Sequence, residues 1–347
     1  MTEITRIAID TSKSVFTLHG VDAAGHAVLR RNLRRRELLR FFETLPPVEV
    51  ALEACGGSHH WGRALAALGH SVRLIPPQYV RPFVKRSKND RNDAEAISVA
   101  AAQPSIASVP VKSAEQQGAA MLLSVRELLV RQRTQLVNAM RGVNAMRGHA
   151  AEMGVVAPLG EKGLAELRSE IAAADDISVP PAAKQAIALL GREAERIEMR
   201  RRAIDATLMQ QHRANPVSRR LAAIPGIGPI GALNLALRVD ATQFKSARHF
   251  AAWLGLVPRE CSTAGRQRLA GISRAGDERL RQLLVLGATA VIQHAKPGGR
   301  SASPWLLNLL GRKPRKLAAV ALANKMARIV WAMMTRGEAY RPTPAAA

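Results

Sequence analysis

The first 110 residues alternate between short apolar segments with strand-like composition and longer segments with helical spacing. Strands are predicted for five segments: ITRIAID, SVFTLHGVD, HAVLRRN, VEVALEA and SVRLIP. Helices are predicted for RRRELLRFFETL, HHWGRALAALG and DAEAISVAAAQ, and Gly, Pro and Asp turn signals separate several of the segments. The resulting order, β-β-β-α-β-α-β-α, restricts this region to an α/β fold built around a sheet.

Four acidic residues stand at the ends of these predicted elements. Asp10 ends the first strand, Glu53 ends the strand after the first helix, and Asp90 and Asp93 begin the last helix on one face. The predicted order is that of a ribonuclease-H-like domain, in which the first strand, the fourth strand and the last helix converge at one sheet edge. Four carboxylates there would repel one another unless a cation neutralised them, and hard oxygen ligands favour Mg²⁺ or Mn²⁺.

Each carboxylate taken singly also has an ordinary interpretation, as a strand-end turn residue, a solvated charge or a helix N-cap. Jointly they predict a site where two metal ions could clamp a scissile phosphate. Lys88 precedes the acidic pair and Arg91 lies within it, and both are predicted to follow the phosphates of a bound strand. A solvated helix face is the alternative for these two basic residues.

The charge balance predicts a polyanionic partner. The 347 residues include 51 Lys and Arg against 27 Asp and Glu, which gives a net charge of +24. From residue 241 to residue 347 there are 18 basic and 4 acidic residues, so the last third is expected to carry a main nucleic-acid surface. Aromatic residues make up only 3%, which favours contacts to the nucleic-acid backbone over base stacking.

The sequence contains no apolar run of about 18 residues and no signal-peptide pattern, so we expect a cytoplasmic protein with no membrane partner. The hydrophobic share of 47% is that of a folded globular chain. Cys55 and Cys261 form neither a disulfide framework nor a metal-binding CxxC motif.

The middle of the chain is predicted to be helical. A long amphipathic helix is expected over 113–150 and a second over about 182–213, separated by a Gly- and Pro-containing break at 151–181. The pair predicts an antiparallel hairpin or coiled coil that joins subunits, and an intramolecular spacer is the alternative. The predicted domains are therefore 1–110, 111–215 and 216–347, with an α/β class for the first and an all-α class for the others.

Two features of the C-terminal domain are candidates for phosphate binding. PGIGPIGA at 225–232 fits a helix-hairpin-helix turn, in which Gly226 and Gly228 allow close approach to DNA and the next helix presents free N–H groups. An ordinary turn between helices is the alternative. A basic cluster precedes the last helix, with a solvated face as its alternative, and comprises Arg312, Lys313, Arg315 and Lys316.

ECSTAGRQRL at 260–269 contains a candidate nucleophile, Ser262. A serine hydroxyl needs a base or a metal for activation, and no His stands beside Ser262 in the sequence. Metal-bound phosphate could supply that activation, while Arg266 and Arg268 could stabilise the developing charge. The alternatives are a polar loop in a basic domain, and Cys261 as the nucleophile, although we expect Cys261 to be a buried small residue.

Several of these segments resemble one protein family. IAIDTSK, ALEACG and KNDRNDAEAI resemble the three acidic motifs of the DEDD transposases of insertion sequences, whose catalytic domain is similar to RuvC-type Holliday-junction resolvases. IPGIGPIGA and the segment from FAAWLGLVPRE to GDERLR resemble the C-terminal transposase domain of the same family. The resemblance covers nearly the whole chain in the family's order. It implies that Asp10, Glu53, Asp90 and Asp93 bind the metal.

The same resemblance implies a role for Ser262. STAGR at 262–266 matches the family's Ser-Ser/Thr-Gly-Gly-Lys stretch, whose first serine attacks DNA and forms a covalent phosphoserine link. Ala264 replaces a glycine and disfavours a positive φ, which puts the loop shape in question. Arg266 replaces a lysine, keeps the charge and adds a planar fork for phosphate.

Together these features predict a Mg²⁺- or Mn²⁺-dependent DNA recombinase that moves an insertion sequence in a bacterial or archaeal cell, associated with the nucleoid. The resemblance implies donor and target DNA as partners, a bridge RNA as guide, and a homodimer or homotetramer in which different subunits complete one site. Two alternatives remain: a metal-dependent nuclease or junction resolvase that uses water, and a non-catalytic protein that bridges nucleic acids.

Overall fold

A computed structural model describes residues 3–85, 89–141, 154–156, 161–174, 178–263, 266, 268–295 and 303–341. The chain divides into two compact units, Met1–Gly118 and Ala119–Ala347. The first unit contains a mixed five-stranded sheet with helices, and the second is mostly helical. The predicted mixture of an α/β region and a helical region is therefore confirmed.

The sheet of the first unit consists of β1 (Arg6–Asp10), β2 (Val15–Val21), β3 (Ala27–Arg34), β4 (Glu49–Glu53) and β5 (Ser71–Ile75). Its spatial order is β3-β2-β1-β4-β5. The first three strands form an antiparallel meander, whereas β4 runs parallel to β1 and β5 runs parallel to β4. The carboxyl ends of β1 and β4 therefore meet at one edge of the sheet.

The α-helices that lie wholly within the described part of this unit are α1 (Leu38–Glu43), α2 (Ser58–Ala67), α3 (Pro77–Val80) and α4 (Asp90–Ala102). Because side chains alternate along a strand, β1 buries different residues on its two faces. Ile7 and Ile9 lie in a cluster with Phe42 of α1. Ala8 lies in a separate cluster with Ala51 of β4 and small residues of α4. The alanines allow α4 to pack closely on the sheet.

The second unit contains the remaining elements. Its helices are α5 (Ala114–Arg141, which begins within the first unit), α6 (Glu161–Ala173), α7 (Pro181–Ala214), α8 (Pro216–Leu221), α9 (Pro229–Arg238), α10 (Ala247–Trp253), α11 (Glu278–Gln293), α12 (Pro304–Arg312) and α13 (Arg315–Arg336). Two short strands, β6 (Pro258–Glu260) and β7 (Leu269–Ile272), form an antiparallel hairpin between α10 and α11.

The two long helices α5 and α7 run antiparallel and are joined by ion pairs. Arg126 pairs with Asp205, and the Nε atom of Arg133 lies 3.3 Å from a carboxylate oxygen of Glu198. The predicted break between the long helices is wrong over Glu161–Ala173, which forms α6. Its glycine, Gly163, lies in the first turn, where a helix tolerates glycine better than in its interior. The predicted helical residues 142–150 lie outside the described part of the chain.

The helix α13 provides much of the core of the second unit. Among the described residues it is the helix whose length and apolar composition would allow it to cross a membrane. Its buried side chains, including Ala323, Met326 and Val330, lie in one hydrophobic cluster with residues of α10 and α11. Such burial is expected of a core helix in a folded domain.

Candidate active site

Asp10 and Glu53 occupy the last positions of two neighbouring parallel strands. The register pairs Ile9 with Leu52, so the two carboxylates leave the sheet side by side at the same edge. Both residues are partly buried. The helix α4 packs against β1 and β4 and begins at Asp90, so it brings a second acidic segment to this part of the sheet.

The start of α4 excludes one ordinary interpretation of its acidic pair. Asn89 is the N-cap, since its side chain accepts a hydrogen bond from the N–H of Asn92 at 2.9 Å. Neither Asp90 nor Asp93 fills that position. Their carboxylates lie in the first turn, where the helix dipole favours negative charge.

The four carboxylates influence one another electrostatically. Burial raises the pKa of Asp10 to about 6, and the charges of Asp93, Asp90 and Glu53 add to the rise, while the backbone N–H of Thr11 opposes it. Burial also raises the pKa of Glu53, with a further contribution from Asp93. This acidic edge, defined as Asp10, Glu53, Asp90 and Asp93, therefore concentrates negative charge that a cation would relieve.

The donor chemistry of the acidic edge suits a hard divalent cation, because all four side chains offer carboxylate oxygens. Within the described part of the chain, however, no three His, Cys, Asp or Glu side chains are gathered closely enough to hold a metal ion. The carboxylates are thus near enough to shift the pKa of Asp10 but are not closed around a common point.

The basic residues beside the acidic edge differ in their surroundings. Arg91 is exposed on the first turn of α4. Lys85 is paired with Glu95 at 2.8 Å. Lys88, predicted to follow the phosphates, lies outside the described residues. His59 has a structural contact, because its Nδ1 accepts a hydrogen bond from the backbone N–H of Lys112 at 3.2 Å.

Ser262 lies on an exposed hairpin of the second unit. It lies two residues after the end of β6, and its hydroxyl donates a hydrogen bond to Oε1 of Glu260 at 2.7 Å. Oγ of Ser262 in turn accepts a hydrogen bond from the backbone N–H of Arg268 at 3.2 Å. The hydroxyl is therefore oriented from two sides while remaining open to solvent.

Glu260 is a functional candidate that the sequence analysis missed. No His stands next to Ser262 in the sequence, but an extended segment places residues two apart on the same side and so brings Glu260 beside Ser262. Glu260 is also the one acidic residue between positions 241 and 276. A lone carboxylate two residues before the serine was the available signal.

The prediction that Cys261 is buried is wrong, since its side chain is exposed. Residue 261 belongs to the two-stranded hairpin, where its N–H donates to the carbonyl of Arg268 at 2.8 Å. The described residues of β6 and β7 are exposed almost throughout, so a small apolar residue at this position has no core to enter. Cys261 therefore shares solvent access with Ser262.

The arginines of this hairpin are exposed. Arg266 and Thr263 bond through their backbones in both directions, at 3.0 and 3.3 Å, and so close the turn. Arg266 and Arg268 have no carboxylate partner within the described residues, which leaves their charge available to an anion. Ala264, which replaces the family's glycine, lies outside the described residues.

The base of the hairpin is anchored by a buried arginine. Arg281 of α11 is 8% exposed, and its guanidinium donates to the carbonyl of Leu254 at 3.1 Å and to that of Ala275 at 2.7 Å. These carbonyls flank the two strands on either side. The position of the Ser262 hairpin on the core is thus tied to α11.

In the turn at 225–232, which is predicted to contact DNA, the structure explains why one of the glycines is needed. Gly226 has φ of +85°, and a Cβ there would meet the carbonyl oxygen of Gly287 at 2.6 Å. The turn therefore packs against the backbone of α11. Gly228 differs, because it has open space around it and precedes α9 as the N-cap. Its surroundings leave room for a ligand at the start of that helix.

The basic cluster at the junction of α12 and α13 is exposed at all four positions, which are Arg312, Lys313, Arg315 and Lys316. Within the described residues none of the four pairs with a carboxylate. Their charge adds to that of the hairpin arginines in the same unit.

Comparison with known proteins gives this geometry a context. A family model described as a transposase, of the DEDD type in IS110 elements, matches residues 7–144. A second model, described as transposase of the IS116/IS110/IS902 family, matches residues 218–303. A putative transposase of Sinorhizobium fredii is 52% identical over 98% of this chain and 86% of the relative. This chain belongs to the IS116/IS110/IS902 family of transposases.

Other relatives of this transposase align over nearly their full length. A probable family 20 transposase of Pseudomonas aeruginosa is 45% identical, covering 98% of this chain and 99% of the relative. The transposase for insertion sequence element IS1111A of Coxiella burnetii is 37% identical, covering 98% and 92%. The two family models together include the acidic edge and Ser262 of this transposase.

Proposed function

We propose that this transposase cuts and rejoins DNA through a covalent phosphoserine formed by Ser262, with Mg²⁺ or Mn²⁺ bound by the acidic edge. The observation that carries the proposal is the convergence of the carboxyl ends of β1 and β4 with the start of α4, where burial and the neighbouring carboxylate charges raise the pKa of Asp10 to about 6. Such a cluster persists at a cost in stability, which favours a functional purpose.

The residues of the acidic edge would hold the metal through carboxylate oxygens. A bound divalent cation would stabilise charge on the phosphate that is cut. Asp10 and Glu53 are fixed by the sheet, whereas Asp90 and Asp93 are carried by α4. The sheet order β3-β2-β1-β4-β5 supports a ribonuclease-H-like, RuvC-like domain for residues 1–110.

Ser262 would supply the nucleophile. Its Oγ forms a bond to phosphorus while the bond from phosphorus to a deoxyribose oxygen breaks, so the phosphodiester energy is retained for rejoining. Glu260 already accepts the hydroxyl hydrogen bond and is placed to take the proton. Arg266 and Arg268 would stabilise the charge that develops on the phosphate.

The nucleic-acid partners we propose are donor DNA, target DNA and a bridge RNA that pairs with both. The net charge of +24 supports polyanionic partners of this kind. Residues 216–347 would form the DNA-contacting transposase domain, with a helix-hairpin-helix-like turn at Gly226 and Gly228. Residues 111–215 would join two or four subunits, so that different copies supply Ser262 and the metal-binding carboxylates.

A denaturing gel tests the proposal. The protein is incubated with labelled donor and target DNA, Mg²⁺ and RNA transcribed from the DNA that flanks the gene. Wild type and Cys261→Ala are expected to form a DNA–protein adduct, whereas Ser262→Ala and Asp10→Ala are not. Cleavage that Ser262→Ala leaves intact would indicate hydrolysis by water and a nuclease. Binding with no cleavage by any variant would indicate a bridging protein.

A further inference from the structure

An open cleft of about 300 Å³ lies beside the acidic edge in the first unit. It is formed by the loop after β1, the start of the segment leading into α1, and the loop and helix that follow β4. Its lining residues are Thr11, Ser12, Lys13, Arg35, Gly56 and Trp61. Two of these residues are cations and none is acidic.

The walls of the cleft are held by local hydrogen bonds. The Ser12 hydroxyl donates to the carbonyl of Val15 and accepts from its N–H at 3.1 Å, which fixes the loop after β1. The N–H of Arg35 donates to the carbonyl of Ser14 at 2.8 Å. Thr11 Oγ1 lies 3.4 Å from Sγ of Cys55 and so links the loops that follow β1 and β4. The cleft is therefore built before any ligand arrives.

Arg35 is oriented by aromatic rings rather than by an ion pair. Its guanidinium carbon lies 5.0 Å from the ring centre of Trp61 and 5.7 Å from that of Phe16. Within the described residues no carboxylate pairs with Arg35, and the side chain is exposed. Stacking on a ring leaves the N–H edge of a guanidinium available for an anion.

We propose that this cleft binds a phosphodiester group of the DNA strand, next to the phosphate that is cut; the inference rests on the proposed function. Lys13 contributes a point charge and Arg35 a planar fork that matches phosphate oxygens. Trp61 is 6% exposed, so its ring orients Arg35 and does not offer a face for a base. The contact is thus to the backbone and independent of base sequence.

The position of the cleft identifies DNA as the occupant. Thr11, Ser12 and Lys13 directly follow Asp10 in the chain, and Gly56 lies three residues after Glu53. A DNA strand whose phosphate reaches the acidic edge would therefore bring a neighbouring phosphate to the cations of the cleft.

The test measures equilibrium binding of the full-length protein, with its RNA and in EDTA, to donor duplexes that carry one neutral methylphosphonate each near the cut. One modified position is expected to weaken wild-type binding about 5-fold. Lys13→Ala and Arg35→Gln are expected to weaken binding of unmodified DNA by a similar factor, and to lower the slope of log K against log salt by about 1. At the sensitive position, the methylphosphonate is expected to cause no further loss of affinity in Lys13→Ala or Arg35→Gln, because the contact is already absent in these variants.

Arg36→Gln is the matched control, because Arg36 is exposed, adjacent in sequence and absent from the cleft lining. Arg36→Gln is expected to retain the methylphosphonate sensitivity of the wild type. Arg35→Lys is expected to show a sensitivity between those of the wild type and Arg35→Gln. The inference would be overturned if a methylphosphonate at every position weakened the binding of all proteins equally. It would also be overturned if the effect of Lys13→Ala and Arg35→Gln depended on phosphates of the RNA and not on those of the DNA. Adduct formation on unmodified DNA is scored separately, so failure of the phosphoserine proposal is distinguishable from failure of the cleft.

Discussion

The acidic edge and the Ser262 hairpin show two different ways of holding candidate functional side chains. The acidic edge gathers residues that lie up to 83 positions apart in the chain, through a buried sheet and a helix packed on it. The hairpin holds Glu260 and Ser262 through local bonds on an exposed two-stranded element. The first arrangement depends on the core, and the second depends on a turn and a single anchoring arginine.

The largest expected effect comes from removing one charge of the acidic edge. Glu53→Gln keeps the size of the side chain but removes a carboxylate of the proposed metal site, so adduct formation should slow at least 100-fold. Glu43→Gln, an exposed change of equal charge in the same unit, should leave the rate unchanged. Rates are measured by denaturing gel over a range of Mg²⁺ concentrations. A wild-type rate for Glu53→Gln would remove Glu53 from the proposed site.

The second prediction concerns the anchor of the hairpin. Arg281→Met leaves the carbonyls of Leu254 and Ala275 unpaired in a buried site, and should destabilise the second unit by about 2–3 kcal/mol. Arg73 is the matched comparison in the first unit, because its guanidinium also bonds two carbonyls but is only partly buried. Arg73→Met should cost about 1 kcal/mol. Hydrogen exchange of peptides from each unit measures both effects, and equal costs would contradict the role of burial.

The third prediction concerns the proton of Ser262. Glu260→Gln can still accept the hydroxyl hydrogen bond but cannot take a proton, so adduct formation should slow at least 10-fold with DNA affinity retained. Formate should partly restore the rate of Glu260→Ala. Glu338→Gln, an exposed change in the same unit, serves as the control for charge. Unchanged kinetics in Glu260→Gln would mean that another group accepts the proton.

The smallest effect is a pH dependence of stability without divalent cations. The pKa of Asp10 is about 6 in the folded protein, and its ordinary value is 3.8. Between these two pH values the folded protein therefore retains the Asp10 proton, whereas the unfolded chain has lost it. Stability should therefore fall as pH rises from about 4 through 6. Asp10→Asn should remove this fall and gain about 1 kcal/mol at pH 7.5, a figure reduced for solvent screening. Hydrogen exchange of β1 amides in wild type and Asp10→Asn at pH 5 and 7.5 measures this difference in stability. With Mg²⁺ present, the wild type should become the more stable of the two proteins.

The strand ends that carry Asp10 and Glu53 could be predicted from the sequence because apolar patterning marks where a strand stops. Asp10 and Glu53 each follow an apolar run, and the order of elements places both runs side by side. Asp90 and Asp93 were placed at a helix start, but only the structure identifies Asn89 as the cap. The distances between carboxylates depend on packing, which no sequence pattern encodes.

The second unit was less predictable because its decisive contacts are irregular. The bond between Glu260 and Ser262 depends on a short hairpin that has no strong strand pattern, and Cys261 was wrongly expected to be buried. The need for glycine at position 226 arises from its contact with Gly287, a residue 61 positions away. Such long-range backbone contacts are invisible to local propensity.

The small alanine side chains beneath α4 determine the spacing between this helix and the sheet. Ala8 and Ala51 set how near the helix lies to the sheet, and hence how near Asp93 lies to Asp10. A single added branch, as in Ala51→Val, would lift the helix and separate carboxylates that it never touches. Residues with no polar atom in their side chains therefore determine how close the carboxylates of the acidic edge lie to one another.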